Sequence, residues 1–138
     1  MFMGEYSHTI DAKKRLFIPA QFREELGARF IICKSAPGNT CILVYSEEEY
    51  KKRCDEIELH TTPTVQRALY EGATTVESDK SGRITITQRL FEYAELKKNV
   101  VIFGMNNHIE IWDRDKLQFE QKMGDRTPLS AELLAVLY

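Results

Sequence analysis

The feature that most constrains this chain is an internal repeat. At an offset of about 68 residues, Thr9-Ile-Asp-Ala-Lys-Lys-Arg-Leu-Phe-Ile-Pro19 lies over Glu77-Ser-Asp-Lys-Ser-Gly-Arg-Ile-Thr-Ile-Thr87. The match sets Asp11 on Asp79, Arg15 on Arg83, Leu16 on Ile84 and Ile18 on Ile86. It continues downstream, where Phe30-Ile-Ile-Cys33 resembles Val100-Val-Ile-Phe103 and Cys41-Ile-Leu-Val-Tyr45 resembles His108-Ile-Glu-Ile-Trp112. A repeat this short is a single supersecondary unit, too small to bury a core unaided, so the two copies are expected to share one.

Within each copy, a short strand runs into a polar turn and then a strand with alternating apolar positions (Leu16, Ile18; Ile84, Ile86), the pattern of a β-hairpin. A short helix follows, opened by Pro19 in the first copy and by Thr87 as N-cap in the second. A second hairpin is expected to turn at residues 36–40 in the first copy and at Gly104-Met-Asn-Asn107 in the second. Each copy then ends in a charged helix. The helix after Ser46 has a good N-cap and an acidic first turn, and it sets Tyr50, Cys54 and Ile57 on one core-facing stripe. The resulting division is a first repeat over 1–60, a helical connector over 61–73, a second repeat over 74–124, and an amphipathic C-terminal helix over 125–138 carrying Leu129, Leu133, Leu134 and Leu137.

Charge and cysteine usage narrow the function classes. No run of about 20 apolar residues is present to cross a bilayer, and the opening residues lack the blocks of a signal peptide, so a cytoplasmic protein is expected. Cys33, Cys41 and Cys54 form no Cys-x-x-Cys pair, and with His60 they make no chelating spacing, so buried thiols are expected rather than disulfides or zinc. A net charge of −2 argues against a generally basic nucleic-acid binder, and neither half of the chain is basic. Any contact with DNA must therefore be local.

The strongest local signal is Asp-x-x-x-Arg, present twice and each time at a turn. Asp11 and Asp79, with Gly82, read as structural turn residues, each aspartate accepting backbone N–H groups and pairing with its arginine. The tips differ in charge: Asp11, Lys13, Lys14 and Arg15 leave a surplus of two positive charges, whereas Glu77, Asp79, Lys80 and Arg83 cancel. Lysine and arginine on a hairpin tip can meet DNA phosphates, and a two-stranded element can enter the major groove, where arginine pairs with guanine. Lys13, Lys14 and Arg15 are the expected DNA-contacting residues, with Arg23 and Arg83 secondary.

These residues resemble those of the MraZ family. The resemblance rests on Phe2 to Arg23, Asp79-Lys-Ser-Gly-Arg-Ile84, Tyr93-Ala-Glu-Leu96 and Ile109-Glu-Ile-Trp112, and it covers nearly the whole chain. Lys14 departs from the glycine common at that position, and Thr87 departs from proline. The resemblance implies two tandem SpoVT-AbrB-type domains in a mainly β, α+β fold, with pseudo-symmetric swapped hairpins forming a double-split β-barrel flanked by helices. It also implies a ring-forming homo-oligomer that binds short direct repeats in promoter DNA upstream of the division and cell-wall operon, usually as a repressor. No cofactor, small-molecule substrate or membrane is implied.

Two other readings compete with this one. An enzyme would have to use His8, His60 or His108, yet no nucleophile elbow, phosphate-cradling loop or zinc-protease helix is present. An antitoxin-like interaction module on the same fold would be expected to carry an acidic, leucine-poor tail, unlike the C-terminal segment here.

Overall fold

In the computed structural model, which describes residues 1–35, 40–125, 131, 135 and 136, strands and helices alternate in two parallel series. The first comprises β1 (Glu5–Thr9), β2 (Arg15–Phe17), α1 (Ala20–Leu26), β3 (Arg29–Lys34), β4 (Ile42–Ser46) and α2 (Glu47–His60). After α3 (Pro63–Tyr70), the second repeats it with β5 (Thr74–Glu77), β6 (Arg83–Thr85), α4 (Gln88–Tyr93), β7 (Asn99–Gly104), β8 (Ile109–Asp113) and α5 (Arg114–Asp125). The fold is thus mixed α+β. No helix among the described residues is long and apolar enough to cross a membrane.

Strand pairing crosses between the copies. A six-stranded antiparallel sheet has the order β1-β7-β8-β4-β3-β5, and a separate two-stranded ribbon pairs β2 with β6. The opening strand of the first copy therefore extends the second copy's β7-β8 hairpin, with Tyr6 opposite Ile102, and β5 extends β3-β4, with Val76 opposite Phe30. This corrects the expected opening hairpins, because β1 does not pair with β2 and β5 does not pair with β6. The physical reason lies in Leu16 and Ile84. Each must be buried against the face of the sheet, so the chain turns out of the sheet plane instead of folding back within it. The larger sheet is open, with β1 and β5 as edges, and no closed barrel forms among the described residues.

The sheet has covered faces on both sides. On one face, Phe30, Ile32, Ile42, Val44, Ile102, Ile109 and Ile111 meet Leu16, Ile18, Ile84 and Ile86 of the ribbon region, together with Phe22 of α1 and Leu90 of α4. On the other face, Cys33, Leu43, Tyr45, Val101 and Trp112 pack with Leu117 of α5 and Tyr50 of α2. Burial on both faces explains why β3, β4, β7 and β8 are nearly continuous apolar runs, while the edges β1 and β5 alternate.

Local signals set the helix starts. The Ser46 hydroxyl accepts from Glu49 N at 3.2 Å and the Thr87 hydroxyl from Leu90 N at 3.3 Å, each satisfying an orphan helix donor. Thr87 (φ −64°, ψ 151°) also adopts nearly the conformation of Pro19 (φ −50°, ψ 138°), so its departure from proline leaves the chain's entry into the helix intact. In α2, Tyr50, Cys54 and Ile57 share the inward stripe but are only half-buried, and the helix has no fully buried residue. Cys33 and Cys41 are buried free thiols, and burial pushes the Cys33 thiol up to about 11. The expected turn at 36–40 and the C-terminal helix at 125–138 lie almost wholly outside the described residues.

Candidate nucleic-acid interface

The ribbon determines which side chains face outward. Its register sets Arg15 opposite Thr85, Leu16 opposite Ile84 and Phe17 opposite Arg83. Leu16 and Ile84 are buried, so the alternation of a strand turns Arg15, Phe17, Arg83 and Thr85 to the other side. Arg15 and Arg83 are then diagonal neighbours on one surface, about 7–8 Å apart at the backbone. Residues 68 positions apart in sequence are thereby brought together across the junction of the copies.

Both arginines are set by the same turn. In the first, Asp11 Oδ1 accepts from Lys13 N at 2.9 Å and Arg15 N at 2.8 Å, while Arg15 Nε donates to Oδ2 at 2.7 Å. In the second, Asp79 Oδ1 accepts from Ser81 N at 2.8 Å and Arg83 N at 2.9 Å, while Arg83 Nε donates to Oδ2 at 3.0 Å. The backbone hydrogen bond from Arg15 holds the Asp11 carboxyl below the usual carboxylate range, and that from Arg83 does the same for Asp79, aided in each case by the arginine side chain. Each guanidinium is gripped through Nε, leaving its terminal amino groups with no hydrogen-bond partner among the described residues, on side chains that are partly exposed.

The turns demand a left-handed residue just before the arginine. Gly82 supplies it at φ 84°, and Lys14 takes the equivalent place at φ 60°. A side chain disfavours that conformation, which accounts for glycine being common there. The Lys14 ammonium lies 5.5 Å from the centre of the Phe91 ring, a cation–π contact that offsets part of the backbone cost. Gly82 is constrained more tightly, because a Cβ there would come within 2.6 Å of Arg23 Cζ.

Arg23 is occupied at the junction. Its Nε donates to Ile18 O at 2.9 Å and its guanidinium lies 5.3 Å from the centre of the Phe17 ring, half-buried against Gly82. Lys13 is exposed at the first tip and Lys80 at the second. Together the two tips and Arg23 gather six cationic side chains (Lys13, Lys14, Arg15, Arg23, Lys80, Arg83) with three carboxylates, Asp11, Glu77 and Asp79. A locally positive surface is thus available on a chain with a net charge of −2.

Phe17 and Thr85 were not singled out by the sequence reading, although they complete the outward face. The signal was present in the alternation that buries Leu16 and Ile18, but which strand faced β2 was not readable from it. The histidines do not converge. His8 lies beside Phe17 at 5.5 Å, His60 beside Glu56 at 3.4 Å, and His108 stacks on Tyr45 at 5.1 Å. Among the described residues, no group of three or more histidine, cysteine or acidic side chains could hold a metal ion.

Comparison with known proteins supplies the relationship. The family model described as "MraZ protein, putative antitoxin-like" matches residues 1–71 and again 69–132. The chain is 42% identical to the transcriptional regulator MraZ of Acetivibrio thermocellus over 98% of this chain and 94% of that protein. It is 45% identical to the transcriptional regulator MraZ of Moorella thermoacetica over 84% and 83% of the two chains. For the transcriptional regulator MraZ of Clostridium acetobutylicum, identity is 35% over 96% of each. With both repeats matched and relatives aligned along almost their whole length, this chain belongs to the MraZ family.

Proposed function

We propose that this chain is a sequence-specific DNA-binding transcriptional regulator and that the outward face of the β2-β6 ribbon is its reading surface. The observation that carries the proposal is the pair of diagonal arginines, each fixed by its own aspartate and each presenting its terminal amino groups. A two-stranded ribbon fits the major groove, and an arginine held in one plane can donate to guanine O6 and N7 together. Arg15 and Arg83 are assigned to base contact. Lys13 and Lys14 are assigned to phosphate, and Arg23 chiefly to bracing the junction, with Asp11, Asp79 and Gly82 shaping the turns.

The family relationship supports the wider reading. The target is short direct repeats in promoter DNA upstream of the division and cell-wall operon, bound on the nucleoid in the cytoplasm, with repression as the usual outcome. One small basic face per subunit gives weak binding. A homo-oligomeric ring presenting several faces to several repeats raises the effective concentration and converts weak contacts into useful affinity. Two SpoVT-AbrB-type repeats, joined through residues 61–73, would share the swapped-hairpin architecture in this scheme. No cofactor, substrate or chemistry is required.

The test is a mobility-shift assay with DNA from upstream of the protein's own gene. Arg15→Ala is expected to abolish specific binding at moderate salt while the oligomer still forms on size-exclusion chromatography. Retention of specific binding by that variant would defeat the assignment. Failure of the parent protein to bind any repeat while co-eluting with a protein partner would favour the antitoxin-like alternative.

A further inference from the structure

Beside the first turn lies a groove of about 660 Å³ lined by Ile10, Asp11, Lys14, Phe91, Lys97 and Lys98, among others. Its cations come from both copies, Lys14 from the first turn and the two consecutive lysines from the loop before β7. That loop is well held. Lys98 O accepts from Ile10 N at 2.9 Å, Lys97 N donates to the buried Asp113 Oδ1 at 3.2 Å, and Leu96 is buried. The lysine side chains, by contrast, are exposed and make no ion pair among the described residues.

Nearby carboxylates are already engaged. Asp11 is held by Arg15, Glu95 lies 3.3 Å from Lys116 Nζ, and Glu92 accepts from Gln88 Nε2 at 2.7 Å. Three ammonium groups therefore border one groove and make no ion pair among the described residues, next to an arginine assigned to the major groove. The second turn lacks an equivalent. Five residues separate α4 from β7, but only Gly27 and Ala28 separate α1 from β3, and the Arg29 that follows lies 3.6 Å from Glu77.

We infer that Lys97 and Lys98, with Lys14, clamp the phosphodiester backbone of the bound duplex on the first-turn side of the ribbon only. This rests on the DNA-binding reading above. Phosphate contacts position a protein on DNA without reading sequence, and each one releases counterions, so their number is measurable from the salt dependence of affinity.

The experiment is fluorescence anisotropy across a salt series, with a promoter-repeat duplex and an unrelated duplex, on the parent protein, K97Q/K98Q, K97R/K98R and R15A. The glutamine pair is expected to reduce the slope of log K against log salt by about two, at roughly 0.9 per phosphate. It should weaken both duplexes by the same factor and keep their ranking, while K97R/K98R retains the parent slope. An unchanged slope in K97Q/K98Q, with the parent binding normally and R15A losing specificity, would overturn the clamp and leave the DNA-binding reading standing. A changed ranking of the two duplexes would overturn it in favour of base contact. If the parent binds neither duplex, the underlying reading fails along with the clamp.

Discussion

Gly82 and Lys14 occupy equivalent left-handed positions, yet the surroundings make them unequal. At Gly82 an added Cβ meets the Arg23 guanidinium, itself tied to Ile18 O, so relief requires breaking that bond. Gly82→Ala is expected to destabilise the protein by about 1–2 kcal/mol from the backbone alone, read as a lower urea midpoint with an unchanged slope. At Lys14 the strain relieved by glycine is roughly balanced by the greater chain entropy lost and by the cation–π contact given up. Lys14→Gly should therefore change stability little and show its effect in weaker DNA binding. The aspartates make a separate prediction. Their folded pKa values lie below the ordinary 3.8, so the stability they contribute is present above that value and is lost as pH falls through the lower, folded value. A D11N/D79N double variant should show a shallower loss of stability between pH 4 and more acid conditions than the parent, measured by urea unfolding across that range; an identical acid limb would mean that the turns do not hold these carboxylates in solution.

At the scale of elements, the ribbon is three residues per strand and would not persist alone; it is fixed by its inward side chains. Leu16 and Ile84 face each other beneath it, one from each copy, fully buried against the sheet. Leu16→Ala is expected to cost about 2–5 kcal/mol, and Ile84→Ala a similar amount, because either leaves a cavity at the junction. Each should also weaken DNA binding, since the outward arginines depend on the same strands. Much of this was legible in the sequence: the repeat, the turn chemistry of Asp11 and Asp79, the Ser46 and Thr87 caps, and the strands of both second hairpins. The pairing partners were not. The alternation around Leu16 states which side chains are inward but not which strand lies alongside, and adjacency in sequence suggested β1, whereas burial of Leu16 favoured β6. For the same reason the local charge count could rank Lys13, Lys14 and Arg15 ahead of Arg83 but could not supply the register that sets Arg15 and Arg83 on a single surface.

For the molecule as a whole, the exchange of β1 and β5 means that neither copy owns a complete sheet. Unfolding should be a single cooperative transition, and residues 1–71 expressed alone should either fail to fold or self-associate by completing the exchange with a second fragment. Circular dichroism with sedimentation would decide this, and a folded monomeric fragment would contradict it. Fusion in one chain has a further effect. A pair of identical chains exchanging strands in this way would have a twofold axis through the ribbon, and its two ends would be the same by symmetry. Here the ends have been free to diverge, one bearing Lys13, Lys14 and the neighbouring Lys97-Lys98, the other Lys80, Ser81 and Gly82. The ribbon thus has a head and a tail. On the DNA-binding reading proposed above, a ribbon with polarity would distinguish a site from the same site reversed, so its matching DNA element need not be a palindrome, and successive elements bound by the proposed ring of identical subunits should all point the same way.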